Sequence, residues 1–161
     1  MGLRVHEVSA LFWPLRSLSS GSIQAEIPLT EYSTGVIVMA YVEYTDEFAV
    51  WWHGLTAGEQ NSVALVMVML EEQGPRLDSP YSSAIHGSRH GHMRELRIQH
   101  AGRPYRVLYA FDPRRMAILL IGGDKTGDNR WYRRMIPVAD DLYDQHLHEI
   151  GMERNSGRRR R

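Results

Sequence analysis

Arg97, Arg106 and Lys125 stand where the residue pattern of this 161-residue chain would bring cations together. Around Arg106, the residues Tyr105, Val107, Tyr109 and Phe111 alternate with Arg106, Leu108 and Ala110, the period-two signature of a strand. In the run before it, Leu96 and Ile98 share one face, and Glu95, Arg97 and Gln99 share the other. Lys125 follows a third, apolar run. Guanidinium groups bind phosphate bidentately and stay charged at any physiological pH. Such a cluster can hold a phosphodiester and stabilise the extra negative charge of a pentacoordinate phosphorane. The same spacing also suits ordinary cross-strand ion pairs with Glu95 and Asp124, and on spacing alone that reading is favoured.

Trp131 and Tyr132 come directly after the basic loop that ends in Arg130. There they can stack on an unpaired base, or they can anchor the last helix to the sheet. A tyrosine hydroxyl can also assist proton transfer, although an ordinary pKa near 10 makes it a poor base. His86, His90 and His92 form H-x3-H-x-H, a spacing able to bind zinc, but they lie in a Gly/Ser-rich loop without a matching carboxylate. No metal is expected there. His92, at the mouth of the strand carrying Arg97, is the best-placed acid or base for RNA cleavage. His146 and His148 read as surface residues near a helix C-terminus. No Gly-rich phosphate loop, nucleophile elbow or zinc-protease signature is present.

The formal net charge is zero, yet residues 43–78 carry −6 and residues 89–134 carry +7. The basic half is a candidate polyanion surface, and the acidic half a candidate attachment face for a basic partner. Two solvated faces of opposite sign would give the same count. With no cysteine, neither a disulfide framework nor a thiolate zinc site can form. The longest apolar runs, 63–70 and 116–121, are far short of the roughly 20 residues a membrane helix needs. The first residues lack the features of a secretory signal, so a cytoplasmic location is expected.

These side chains need elements to position them. Residues 1–38, Ser-rich at their centre, show no sustained periodicity and read as an N-terminal extension, either a disordered accessory arm or upstream sequence. A strand pattern opens at Met39, and a chain starting there is expected to fold and act normally. Thr45 caps a short helix to about His53, which Gly54 ends. Thr56 and Glu59 form a capping box for a second helix with Val63, Val66, Met67 and Leu70 on one face. Their short connection predicts a helical hairpin. Residues 76–91 read as a polar loop. Strands at 93–100, 105–111 and 116–121 form an antiparallel meander that Gly122-Gly123 breaks. A final helix over about 129–149 should kink or restart at Pro137, and residues 151–161 read as a basic disordered tail. The order predicts an α+β domain over 39–150: a helical hairpin packed on a small curved antiparallel sheet of about four strands, with a C-terminal helix.

Three ordered motifs carry a resemblance. Met93-Arg94-Glu95-Leu96-Arg97, then Tyr105-Arg106-Val107-Leu108-Tyr109-Ala110-Phe111, then Leu119-Leu120-Ile121-Gly122-Gly123-Asp124-Lys125 are similar to the core of RelE/HigB toxins of bacterial type II toxin–antitoxin systems. The likeness is nearest to the HigB and phage Gp49-like branch. It implies a RelE-like fold and a metal-independent endoribonuclease without a cofactor, acting on mRNA at the ribosome. In that chemistry the ribose 2′-OH attacks the adjacent phosphate. The resemblance assigns Arg97, Arg106 and Lys125 to catalysis and places Trp131 or Tyr132 near the family's aromatic residue, while Glu95 stands where some members carry a basic residue. Arg94, Glu95, His92, Arg130, Trp131 and Tyr132 are the expected RNA-binding residues. It also implies a cognate helix-turn-helix antitoxin, through which alone operator DNA would be bound. A ParE-like gyrase poison and an inactive antitoxin-binding relative share the scaffold and remain alternatives.

Overall fold

A computed structural model describes residues 5–7 and 41–158, with side chains over 41–151. The local signals at the first two helices act as read. Thr45 Oγ1 accepts from Phe48 N at 3.1 Å and caps α1 (Asp46–His53). The same hydroxyl donates to Leu120 O at 2.6 Å and so ties the helix start to the sheet. The Thr56–Glu59 capping box opens α2 (Ala57–Gln73), and a 3-10 turn carrying Pro75 follows. Val63, Val66, Met67 and Leu70 are buried as their spacing requires.

The strands are β1 (Val5–Glu7), β2 (Val42–Thr45), β3 (Ser82–Ala84), β4 (Arg94–His100), β5 (Arg103–Phe111) and β6 (Ala117–Asp124). They form one sheet in the order β1-β2-β6-β5-β4-β3. The β4-β5-β6 meander is antiparallel as expected. The sheet as a whole is not, because β2 runs parallel to β6. Two helices and three strands separate β2 from β6 in sequence, so no tight turn constrains their relative direction. The expected polar loop contributes β3, which pairs antiparallel with β4. At the other edge β1 pairs antiparallel with β2, giving six strands among the described residues rather than four. The rest of the expected N-terminal extension lies outside the described residues.

Each helix makes its main contacts with the sheet: α1 with β6, α2 with β4, and α3 (Trp131–Arg158) with β6 and β5. Alternation sorts the core into two layers. Phe48, Trp52, Val63, Met67 and Leu70 of α1 and α2 pack on Leu96, Ile98, Tyr105, Val107, Tyr109 and Leu119. On the opposite face, Trp131, Ile136, Ala139, Leu142 and Tyr143 of α3 pack on Leu108, Ala110, Ile118 and Leu120. The helix α3 runs through Pro137 to Arg158 as one element, eight residues past the expected domain end. Pro137 is exposed, so the carbonyl it leaves unpaired can meet water and the helix need not restart. Among the described residues no helix is long and apolar enough to cross a membrane.

Gly122 and Gly123 do not break β6, which continues to Asp124. A Cβ at Gly122 would lie 2.1 Å from Trp51 Cε3, and one at Gly123 would lie 2.5 Å from Trp131 Nε1. The two glycines therefore let tryptophans close on the strand from opposite faces. Gly122→Ala is expected to cost about 1–3 kcal/mol through overpacking. Thermal denaturation checks this, and an unchanged midpoint would contradict the close approach.

Candidate active site

β4 and β5 place Arg97 and Arg106 directly opposite one another, on the face that α3 covers. Glu95, two residues earlier on the same face, is only 5% exposed. Its carboxylate accepts from Tyr132 Oη at 2.6 Å and from Ser83 Oγ at 2.9 Å. Arg97 Nε stands 3.6 Å from Glu95 Oε1, and Arg106 Nε 3.5 Å from Glu95 Oε2. At that distance the Arg106 contact is charge pairing without a hydrogen bond, and Nε is buried with no hydrogen-bond partner among the described residues. Nη1 of Arg106 donates to Tyr105 O at 2.9 Å, which fixes the guanidinium plane. Lys125 Nζ lies 5.4 Å from the centroid of the Tyr132 ring, within cation–π range.

Two guanidinium groups thus share a single carboxylate, with Lys125 over the ring of the tyrosine that bonds it, and a further anion is electrostatically favoured there. Burial and the hydrogen bond to Glu95 push the Tyr132 phenol above its usual pKa, so it stays protonated at neutral pH. Arg97 and Arg106 also line a cleft of about 500 Å³ that reaches α2. The ion-pair expectation is therefore half met. Glu95 does pair with both arginines, whereas Asp124 lies 3.5 Å from Arg103 instead.

Other residues expected at the site are elsewhere. Arg94 points to the opposite face, bonding Ser82 Oγ at 3.2 Å, Tyr109 Oη at 3.3 Å and Leu77 O at 3.1 Å. Period-two geometry forces this, since Arg94 and Glu95 are adjacent on one strand. His92 shares a 3.1 Å hydrogen bond with Tyr143, about 16 Å along α3 from Tyr132 at 1.5 Å rise per residue. Trp131 is 3% exposed against Gly123, so it anchors the helix and cannot stack on a base. Arg130 is exposed just ahead of α3, and its backbone amide bonds Asp128 Oδ1 at 2.9 Å. His90 bonds Asp144 at 2.7 Å, and no group of three or more potential ligands is arranged for a metal among the described residues. His146 is not a surface residue. It is buried and donates to Asp112 Oδ2 at 2.9 Å, because its face of α3 meets the turn between β5 and β6.

The charge count of the basic half also needs correction. Arg89 pairs with Asp141 and Asp144, Arg103 with Glu59, Arg114 with Asp112 and Glu43, and Arg134 with Asp128. Several of these acids come from distant segments, so a windowed count misses them. Ser83 was overlooked at the site because β3 is too short to show alternation.

Residues 50–144 match the family described as "Phage derived protein Gp49-like (DUF891)". A Mycobacterium tuberculosis protein named "Putative toxin HigB2" is 36% identical over 118 residues, covering 72% of this chain and 59% of that protein. A second from the same organism, named "Putative toxin HigB3", is 44% identical over 98 residues, covering 60% of this chain and 84% of that protein. The chain therefore spans little more than half the length of the first relative and most of the second. No solved structure matches. With the three strand motifs in one sheet and the family match spanning all three of them together with α2, the chain belongs to the phage-derived Gp49-like family, alongside HigB-type toxins of toxin–antitoxin systems.

Proposed function

We propose that this chain is the toxin of a type II toxin–antitoxin module and a metal-independent endoribonuclease acting on mRNA in the cytoplasm, at the ribosome. The observation that supports it best is Arg106: nearly buried, with Nε lacking a hydrogen-bond partner, and lining an open cleft with Arg97. In the proposed reaction the ribose 2′-hydroxyl gives its proton to solvent water and its oxygen forms a bond to phosphorus, as the bond from phosphorus to the 5′-oxygen breaks and that oxygen takes up a proton. The products are a 2′,3′-cyclic phosphate and a 5′-hydroxyl. Arg97, Arg106 and Lys125 stabilise the charge that builds on the phosphorane. Glu95 is a positioning residue, holding both guanidinium groups and the Tyr132 phenol in register. Arg130 extends the cationic surface along the RNA backbone.

Tyr132, kept protonated by burial and by Glu95, is equipped to donate to the departing oxygen. Tyr132→Phe is expected to lower kcat by about a hundredfold with KM little changed, read by cleavage kinetics on a defined transcript. Equal kcat in the two proteins would remove Tyr132 from the chemistry. A helix-turn-helix antitoxin is the expected neutralising partner, and operator DNA is reached through it. Mapping RNA ends after induction in cells tests the whole reading. New cuts within mRNA support it. A DNA-damage response with intact mRNA points to gyrase instead, and neither outcome leaves only antitoxin binding.

A further inference from the structure

The cleft beside the arginines has walls that a phosphate does not need. Its volume of about 500 Å³ lies between α2 and the open edge of β4, with Leu65, Met69 and Tyr81 as apolar walls and Gln99 beside the arginines. Tyr81 is 41% exposed. β3 pairs with β4 only as far as Ser82 opposite Leu96, with one further bond from Arg97 N to Tyr81 O at 2.8 Å. Residues 95, 97 and 99 turn their backbone amides to this edge, so the amide and carbonyl of Gln99 face outward beyond the end of β3. The exposed side chain of Gln99 adds a donor and an acceptor.

A nucleotide joins a phosphate to a flat base through one ribose. A phosphate held by Arg97 and Arg106 therefore carries its base to the adjoining space. That space offers what a base requires: an aromatic ring and aliphatic groups for its faces, and free amide groups for its edge. An apolar peptide segment suits it less well, because it would leave the two arginines without an anion unless it also brought a carboxylate. We infer that this cleft is a subsite for a nucleobase flanking the scissile phosphate, with the base stacked on Tyr81 and its edge read by Gln99. The inference rests on the proposed RNA-cleaving function and adds the residues that set base preference.

The test is direct binding of the full chain to labelled 2′-O-methylated oligonucleotides, which lack the attacking hydroxyl and stay intact. The four homopolymers are compared with an abasic ribose-phosphate oligomer of equal length. Tyr81→Ala is expected to weaken binding of the preferred homopolymer about five- to a hundredfold while leaving the abasic oligomer unaffected. Tyr81→Phe, which keeps the ring, should bind as the parent does, and Arg97→Ala should weaken both classes of oligomer. If Arg97→Ala acts but Tyr81→Ala does not, or lowers both classes equally, the base subsite is overturned and the phosphate site stands. Binding of no oligomer by the parent overturns both. A folded Tyr81→Ala protein that keeps all RNA binding but loses a co-expressed antitoxin makes the cleft a protein-docking face and also overturns the inference.

Discussion

Arg106→Ala is expected to lower RNA cleavage at least about a hundredfold, the usual cost of removing one preorganised charge donor from a transition state. The reason is geometric. Arg106 is 6% exposed, its plane is fixed by Tyr105 O, and it lines the cleft together with Arg97. A lysine in its place keeps the charge and loses the fork, so Arg106→Lys should recover only part of the rate. Folding must be followed in parallel, because the substitution removes a cation from buried Glu95. That carboxylate keeps its bonds from Tyr132 and Ser83 and its pairing with Arg97, so a folded protein is expected. Primer extension on a reporter mRNA, beside a melting curve for each variant, reads both quantities. A folded Arg106→Ala protein that cuts at the parental rate would rule out this site.

Asp112→Ala is expected to cost about 3 kcal/mol of stability without touching the site. Asp112 is fully buried in its side chain and accepts from His146 Nε2 at 2.9 Å, Arg114 Nε at 2.7 Å, Arg114 N at 2.8 Å and Met116 N at 3.1 Å. Arg114 Nη2 extends the network to Glu43 at 3.0 Å. One carboxylate therefore joins the β5–β6 turn to α3 and β2, and its loss leaves buried donors unpaired. Burial alone would raise the pKa of Asp112, but the hydrogen bonds from His146, Arg114 and Met116 outweigh it and hold the carboxyl below its usual value. A folded-state pKa below the unfolded one gives stabilisation that is complete above the ordinary carboxylate range. It is lost as pH falls through the folded value. Urea unfolding as a function of pH should therefore show an acidic loss of stability in the parent that is smaller in Asp112→Asn. Parallel pH profiles for the two proteins would count against this network.

The helix starts and the meander were legible because their causes are local. Thr45 and the Thr56–Glu59 pair satisfy orphan amides within one turn, and alternation in 105–111 needs only the next residue to be read. The short edge strands β1 and β3 were not legible, since three residues carry no period and pair only because a neighbour presents an open edge. Gly122-Gly123 read as a break for a similar reason. The tryptophans that require the glycines lie far off in sequence, at Trp51, or across a turn, at Trp131.

For the site, the sequence by itself determined that Glu95 and Arg97 share one face of their strand, because side chains alternate with period two; the two-residue turn at Ala101-Gly102 set the register that brings Arg106 onto that face. It also determined the family, through the order of three strand motifs. Only the tertiary structure decided which neighbours complete that face. It sent Arg94 to the far side, buried Trp131, placed His92 beside Tyr143 midway along α3, and brought Tyr132 and Ser83 onto Glu95. These outcomes depend on where α3 and β3 dock. Docking is set by the fit of whole apolar faces, to which widely separated residues contribute and which no local spacing encodes.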